Sequence, residues 1–314
     1  MSVYFSNFQR TLWHYQHFCE EAGVPCYPGE PKILGACLSL RASDSQSVSM
    51  VNKLYSSVAH EHKKRFLVSP TEHPTIRLLM QSIRRHLSRP RQPVQPIEPD
   101  HLRILNNHLN SLGTDASLEL WRTVWRANIQ YYSACRFSEI NVLTHAELEF
   151  QETPSKCVIL NIKKSKTDQM HEGCLKYVFP VTSEPVLCPV RLTHKYLSRL
   201  SQHLPPGQKY KGYLQPRLRF NAKTKQQIPL NQKISYSSCL DETRQLFQKL
   251  KIPGRFGEHS GRRGAATQAA ANGGSLMDIQ RLGNWKSSSN AQLYVDQARA
   301  KKDNLSRLLL PCPK

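Results

Sequence analysis

Apolar positions recur at helical spacing along most of the chain and switch to a shorter period only once. Residues 4–22, 31–42, 47–66 and 75–89 carry apolar side chains three and four apart, separated by Gly, Pro and Ser, which predicts four helices and no strand. In PRQPVQPIEP, residues 90–99, proline falls at 90, 93, 96 and 99 and matches the three-residue turn of polyproline II. Ten such residues span roughly 30 Å and predict a stiff linker. Beyond it, helical spacing covers about 115–132 and resumes at 135–143. Residues 158–162 and 175–181 then read as two short strands, with the polar KKSKTDQMHEG between them as the turn of a hairpin. Helices follow at 189–203, 235–250, 261–271, 275–282 and 288–300, the fourth opened by a Ser275-to-Asp278 capping pattern. The expected architecture is mainly α. A helical domain at 1–89, the linker at 90–99 and an α-rich domain at 100–300 with a small β-sheet are followed by a tail at 301–314.

Composition narrows the class. With 314 residues, 39% hydrophobic and 21% charged, the chain can bury a real core, so wholesale disorder and collagen-like structure are excluded. Apolar runs stay far short of a membrane span, and the opening MSVYFSNFQRTLWHYQ is too polar for a secretory leader, so no membrane partner is expected. Nine scattered cysteines without a C-x-x-C suggest a reduced intracellular compartment. His14, His17, Cys19 and Cys26 are close in sequence, but their spacing fits no standard zinc site, and neither metal nor cofactor is expected. Charge is the abnormal quantity: 44 Lys and Arg face 23 Asp and Glu, a net +21. Residues 1–92 hold +6 of it and the remainder +15, so both halves are basic. That balance points to a polyanion, most often nucleic acid.

The chemistry concentrates in GEHSGRRGAATQAAANGGSLMDIQRLGNWKSSSNAQLYVD, residues 257–296, which holds His259, Arg262, Trp285 and Tyr294. Upstream, ACRFSEINVL supplies Arg136 and Glu139, and the hairpin turn supplies Lys163, Lys164 and Lys166. Singly, each is ordinary: an i,i+3 surface pair, a solvated turn lysine, a core Trp, a packing Tyr. Jointly, their order and intervals carry meaning. His259 and Arg262 are three positions apart, Arg262 and Trp285 are 23 apart, and Trp285 and Tyr294 are nine apart. In these motifs the sequence resembles the tyrosine recombinase (phage integrase) superfamily. The intervals are similar to those of its Cre recombinase branch, where Trp replaces a second histidine. Arg136-Phe-Ser-Glu139 resembles that family's Arg-x-x-Glu, and Lys-Ser-Lys166-Thr its hairpin lysine. The resemblance covers about residues 115–300, and the first domain is similar in kind to the family's helical core-binding domain.

The resemblance implies a site-specific recombinase that cleaves and rejoins DNA through a 3′-phosphotyrosine and a Holliday junction, without metal or nucleotide. Tyr294 would be the nucleophile. A phenol with a pKa near 10 is ionised in about one molecule in a thousand at neutral pH, so a positive field and a proton acceptor must assist it. Arg136 and Arg262 would clamp the phosphate, His259 would orient it and handle the tyrosine's proton, and Lys166 (or Lys164) would protonate the leaving oxygen. Trp285 would give an indole N–H, and Glu139 would orient the arginine and histidine. Implied partners are double-stranded DNA bearing recombination sites and three further copies, as a tetramer on two sites. Other readings are a silent DNA-binding descendant and a type IB topoisomerase-like nicking-closing enzyme. Leu187-Cys188-Pro189-Val190-Arg191 resembles a stretch in recombinases of eukaryotic mobile elements (DIRS-like and Crypton groups), which would imply a nucleus; otherwise the expected place is the cytoplasm or nucleoid. The apolar 305–310 stretch would dock on a neighbouring protomer.

Overall fold

The computed structural model describes residues 7–89, 94–153, 156–163, 172–202, 204–205, 207–223 and 225–302. The chain divides into two compact units, Met1–Gln92 and Pro93–Lys314. Among the described residues, no helix is long and apolar enough to cross a membrane.

The first unit holds α1 (Asn7–Glu21), α2 (Pro31–Ser45), α3 (Val48–Lys64) and α4 (Pro74–Leu87). Proline opens α2 and α4 in the first turn, where its missing N–H has no helical partner to lose. Leu12, Tyr15 and Cys19 of α1 meet Leu34 and Leu38, Val51, Leu54 and Val58, and Ile76 and Met80 in one core. Each fully buried aliphatic contributes about 1.5–3 kcal/mol.

In the second unit, residues 94–98 do not stand off as a spacer. Gln95 and Ile97 donate their N–H groups to the carbonyls of Arg255 and Ser260 at 2.8 and 2.9 Å, and Ile97 is buried in the core. The proline run thus ends as part of this unit, because one apolar residue inside it finds a hydrophobic seat. Pro99 starts α5 (Pro99–Leu112), a helix additional to those the pattern predicts, in which Leu102, Leu105 and Leu109 bury one face. Next comes α6 (Leu118–Ser133), capped by the Ser117 hydroxyl accepting from the Leu120 N–H. Thirteen of its sixteen residues are buried, so it is the central strut. Its buried Arg126 is satisfied by the Gln215 side-chain carbonyl at 2.9 Å and the Cys239 carbonyl at 3.1 Å, and Arg122 pairs with Glu242.

A single turn, α7 (Phe137–Ile140), replaces the longer helix predicted there. Then β1 (Leu148–Gln151), β2 (Cys157–Ile162) and β3 (Cys174–Val178) form an antiparallel sheet in that order, with Leu160 opposite both Leu148 and Lys176. The hairpin turn lies outside the described residues at 164–171, taking Lys164 and Lys166 with it. After α8 (Pro189–Ser201), a second hairpin, β4 (Pro216–Asn221) with β5 (Gln226–Lys233), was not foreseen; its strands are mostly polar and show little alternation. Pro189 is the first helical residue of α8, and Leu187 and Val190 are buried, so packing accounts for that stretch. The chain closes with α9 (Tyr236–Lys249), α10 (Ser260–Ala271), α11 (Leu276–Gly283) and α12 (Ser288–Lys302). The fold is mainly α with small antiparallel sheets.

Candidate active site

Arg136 precedes α7, and Glu139 sits in its first turn. The Glu139 carboxylate accepts from the Arg136 backbone N–H at 2.7 Å and from its guanidinium Nη1 at 2.6 Å. A helix of four residues has little stability of its own, so this side chain both caps the turn and fixes the arginine. Glu139 is 5% exposed, and its charge is compensated in place by that contact.

Arg262 lies in the first turn of α10, 4% exposed. Its Nη1 donates to the Ala134 carbonyl at 2.7 Å, and its Nη2 donates to the Gly283 carbonyl. One side chain therefore ties the segment entering Arg136 to the C-terminus of α11. Burial, then the positive charge of Arg136, lower the pKa of Arg262, while Glu139 and Tyr294 act to raise it. Two arginines, a carboxylate and a phenol thus share one electrostatic neighbourhood. A guanidinium has five N–H donors, so two carbonyl bonds do not exhaust it.

Trp285 follows α11, whose C-cap Asn284 is left-handed at φ 50° and turns the chain sharply. Its ring lies 4.2 Å from the Arg262 guanidinium and 5.1 Å, centroid to centroid, from the Tyr294 ring. Gly283 makes this possible, since a Cβ there would fall inside the indole. Tyr294 is half-buried on α12, which packs Ala291 and Val295 against Ala266 of α10 and Ile279 of α11. Tyr294 and Trp285 border that small cluster.

The structure therefore brings Arg136, Glu139, Arg262, Trp285 and Tyr294 together. His259 is exposed, immediately before α10, with Nε2 at 3.2 Å from the neighbouring Glu258 carboxylate. As the N-cap of α10, at φ −98° and ψ −1°, it accepts the Arg263 N–H on its carbonyl at 2.8 Å, while Arg262 is buried. Lys164 and Lys166 lie outside the described residues, and Lys163, at the edge of the hairpin, pairs with Glu147 at 2.7 Å.

One further lysine, outside the sequence motifs, joins this region. Lys176 in β3 donates from Nζ to the Leu282 carbonyl at 2.7 Å, one residue before the carbonyl that takes Arg262. Two cations from different elements thus hold successive carbonyls at the negative end of α11. Strand alternation places Lys176 on the inner face with Cys174 and Val178, which was the available signal.

The sequence pattern of the phage integrase family matches residues 95–301. An integrase/recombinase described as a XerD homolog, from Selenomonas ruminantium, is 24% identical over 294 residues, 92% of this chain and 80% of that protein. Among solved structures, the XerH site-specific recombinase bound to a palindromic difH substrate in a post-cleavage complex aligns with TM-score 0.59 and 11% identity, over 95% of this chain and 78% of that one. The Tn1549 transposon integrase in complex with transposon right end DNA aligns with TM-score 0.58 and 12% identity, over 97% and 95%. At these identities the two structures speak to the fold.

Proposed function

The chain belongs to the phage integrase family, and from that premise we propose that it is a tyrosine-type site-specific recombinase that uses Tyr294 to cut and rejoin duplex DNA. The observation that carries the reading is the Arg262 side chain, which joins the approach to Arg136 to the turn before Trp285 while Trp285 packs on Tyr294. Ala134 and Arg262, 128 positions apart, meet at 2.7 Å, beside the place where this reading holds a phosphodiester against the phenol.

In this mechanism the Tyr294 oxygen attacks the scissile phosphorus, the P–O bond to the 5′ oxygen breaks, and the 3′ phosphate stays on the tyrosine. The phosphodiester's energy is retained in that linkage, so rejoining needs no nucleotide. Arg136, held by Glu139, and the remaining donors of Arg262 neutralise charge on the phosphate oxygens, strongly so in a partly buried site. The Trp285 ring fixes Arg262 and Tyr294 relative to each other. His259 reaches the phosphate or the phenolic proton when DNA draws it from Glu258, and Lys166 protonates the leaving oxygen. Four copies on two sites exchange strands through a Holliday junction, with phosphate contacts from the net +21 supplying most of the affinity.

The test offers wild type and Tyr294→Phe a labelled, nicked duplex from the ends of the encoding element. The reading expects a protease-sensitive covalent adduct with wild type alone, and recombinants when two sites are present. Relaxation of supercoils without exchange would move the chain to nicking-closing chemistry. Equal binding by both proteins with no adduct would leave a DNA-binding protein.

A further inference from the structure

The end of α3 carries features that folding of the first unit does not require. The Phe66 N–H donates to the Lys63 carbonyl at 3.1 Å and the Leu67 N–H to the His62 carbonyl at 3.0 Å, a Schellman turn. Such a turn forces one residue into the left-handed region, and glycine ordinarily fills it. Here the position holds Phe66, at φ 57°. A bulky residue there is an outlier. Nor does the ring gain burial: at 98% exposure Phe66 is the most exposed large hydrophobic side chain among the described residues, and Val68 beyond it is 80% exposed. Glycine would relax the backbone and remove apolar surface from water.

The base of this projection is rigid. Arg65 pairs with Glu61 at 2.9 Å and lies 4.2 Å over the Tyr27 ring. His62, fully buried, accepts the Gly29 N–H at 2.9 Å and sits 2.9 Å from the Val58 carbonyl. Lys63 and Lys64, both exposed, precede Phe66 in the chain, and no acidic residue follows Glu61 until Glu72. An aromatic held on a fixed turn beside a run of cations is pre-organised for a partner that is anionic outside and apolar between its charges.

We propose that Phe66 is a base-contacting residue of the first unit, seated in a groove of duplex DNA while Lys63 and Lys64 bind the flanking phosphates. Duplex DNA fits because it sets apolar base edges, thymine methyls included, between two rows of phosphate. The inference rests on the DNA-directed reading above and adds a named contact to it.

The test uses the full chain and an A/T-rich 30-base-pair duplex carrying 5-iodouracil in place of thymine. Phe66→Gly is expected to weaken binding about fivefold to tenfold without changing the slope of log affinity against log salt, and to melt no lower than wild type. Lys63→Ala/Lys64→Ala is expected to reduce that slope by about 1–2. Irradiation should attach DNA to the tryptic peptide of residues 66–77 in wild type. Unchanged affinity of Phe66→Gly, with wild type binding the duplex, overturns this proposal and leaves the functional reading intact. A change in self-association with unaltered DNA affinity reassigns the turn to a protein contact and also overturns it. Failure of wild type to bind any duplex overturns both.

Discussion

The Arg262 guanidinium lies over Trp285 with its carbon 4.2 Å from the ring centre, and the same indole stands 5.1 Å from the ring of Tyr294. A buried cation is thereby fixed to an aromatic, and the aromatic to a phenol, across three helices. Any motion of α11 relative to α10 must break either this stack or the Arg262 bond to the Gly283 carbonyl. Catalysis by positioning depends on such a linkage, since a misplacement of about 1 Å can cost about a hundredfold in rate.

Gly283→Ala tests the stack without touching a charged residue. The new methyl group would occupy the space of the Trp285 ring. We expect a loss of about 1–3 kcal/mol from overpacking, an altered near-UV dichroism of Trp285, and adduct formation reduced more than tenfold. DNA affinity should stay within about twofold of wild type, because phosphate contacts dominate it.

Lys176→Met keeps the aliphatic stem and removes the donor that holds the Leu282 carbonyl. A lost charged hydrogen bond costs about 1.5–3 kcal/mol, less where water can replace it, so melting should drop by a few degrees. The cleavage rate should fall about tenfold, and Lys176→Arg should recover part of it. Equal rates for Met and wild type would show that α11 is positioned by Arg262 alone.

Glu139→Gln is expected to leave the backbone cap partly intact while weakening the hold on the Arg136 guanidinium. Single-turnover cleavage should slow by about tenfold to a hundredfold with little change in DNA binding. Stability should fall by about 2 kcal/mol in chemical denaturation.

His101 gives a pH signature. Its Nδ1 accepts the Glu98 N–H at 3.1 Å at the start of α5, so the ring must be unprotonated there. Burial, with Phe256 edge-on at 5.3 Å, lowers its pKa, while Glu98 and Asp100 act to raise it. A histidine depressed on folding adds stability above its unfolded pKa of about 6.5, and that stability is lost as pH falls toward the lower folded value. His101→Ala should therefore cost about 1 kcal/mol at pH 7.5 and progressively less below about pH 6.5, measured by thermal melting.

Much of the site was legible because it is built from long-range repeats of order: Arg136, Glu139, Arg262, Trp285 and Tyr294 are named by their intervals, and the structure brings them together. Helix α5 was hidden by its polar filling, Asn106, Asn107 and His108, although Asn106 is buried and bonded to Asn128 at 3.1 Å. Strands β4 and β5 escaped because a polar hairpin lacks the alternation that marks a half-buried strand. Lys176 was overlooked because a lone lysine in a strand usually faces water, whereas here register turns it inward toward α11.

The most direct measurement is the location of the covalent bond. Wild-type protein trapped on a nicked duplex, digested with nuclease and trypsin, should yield a peptide of residues 287–299 carrying a nucleotide on Tyr294. A nucleotide on any other of the twelve tyrosines, or adducts that persist undiminished in Tyr294→Phe, would contradict the account.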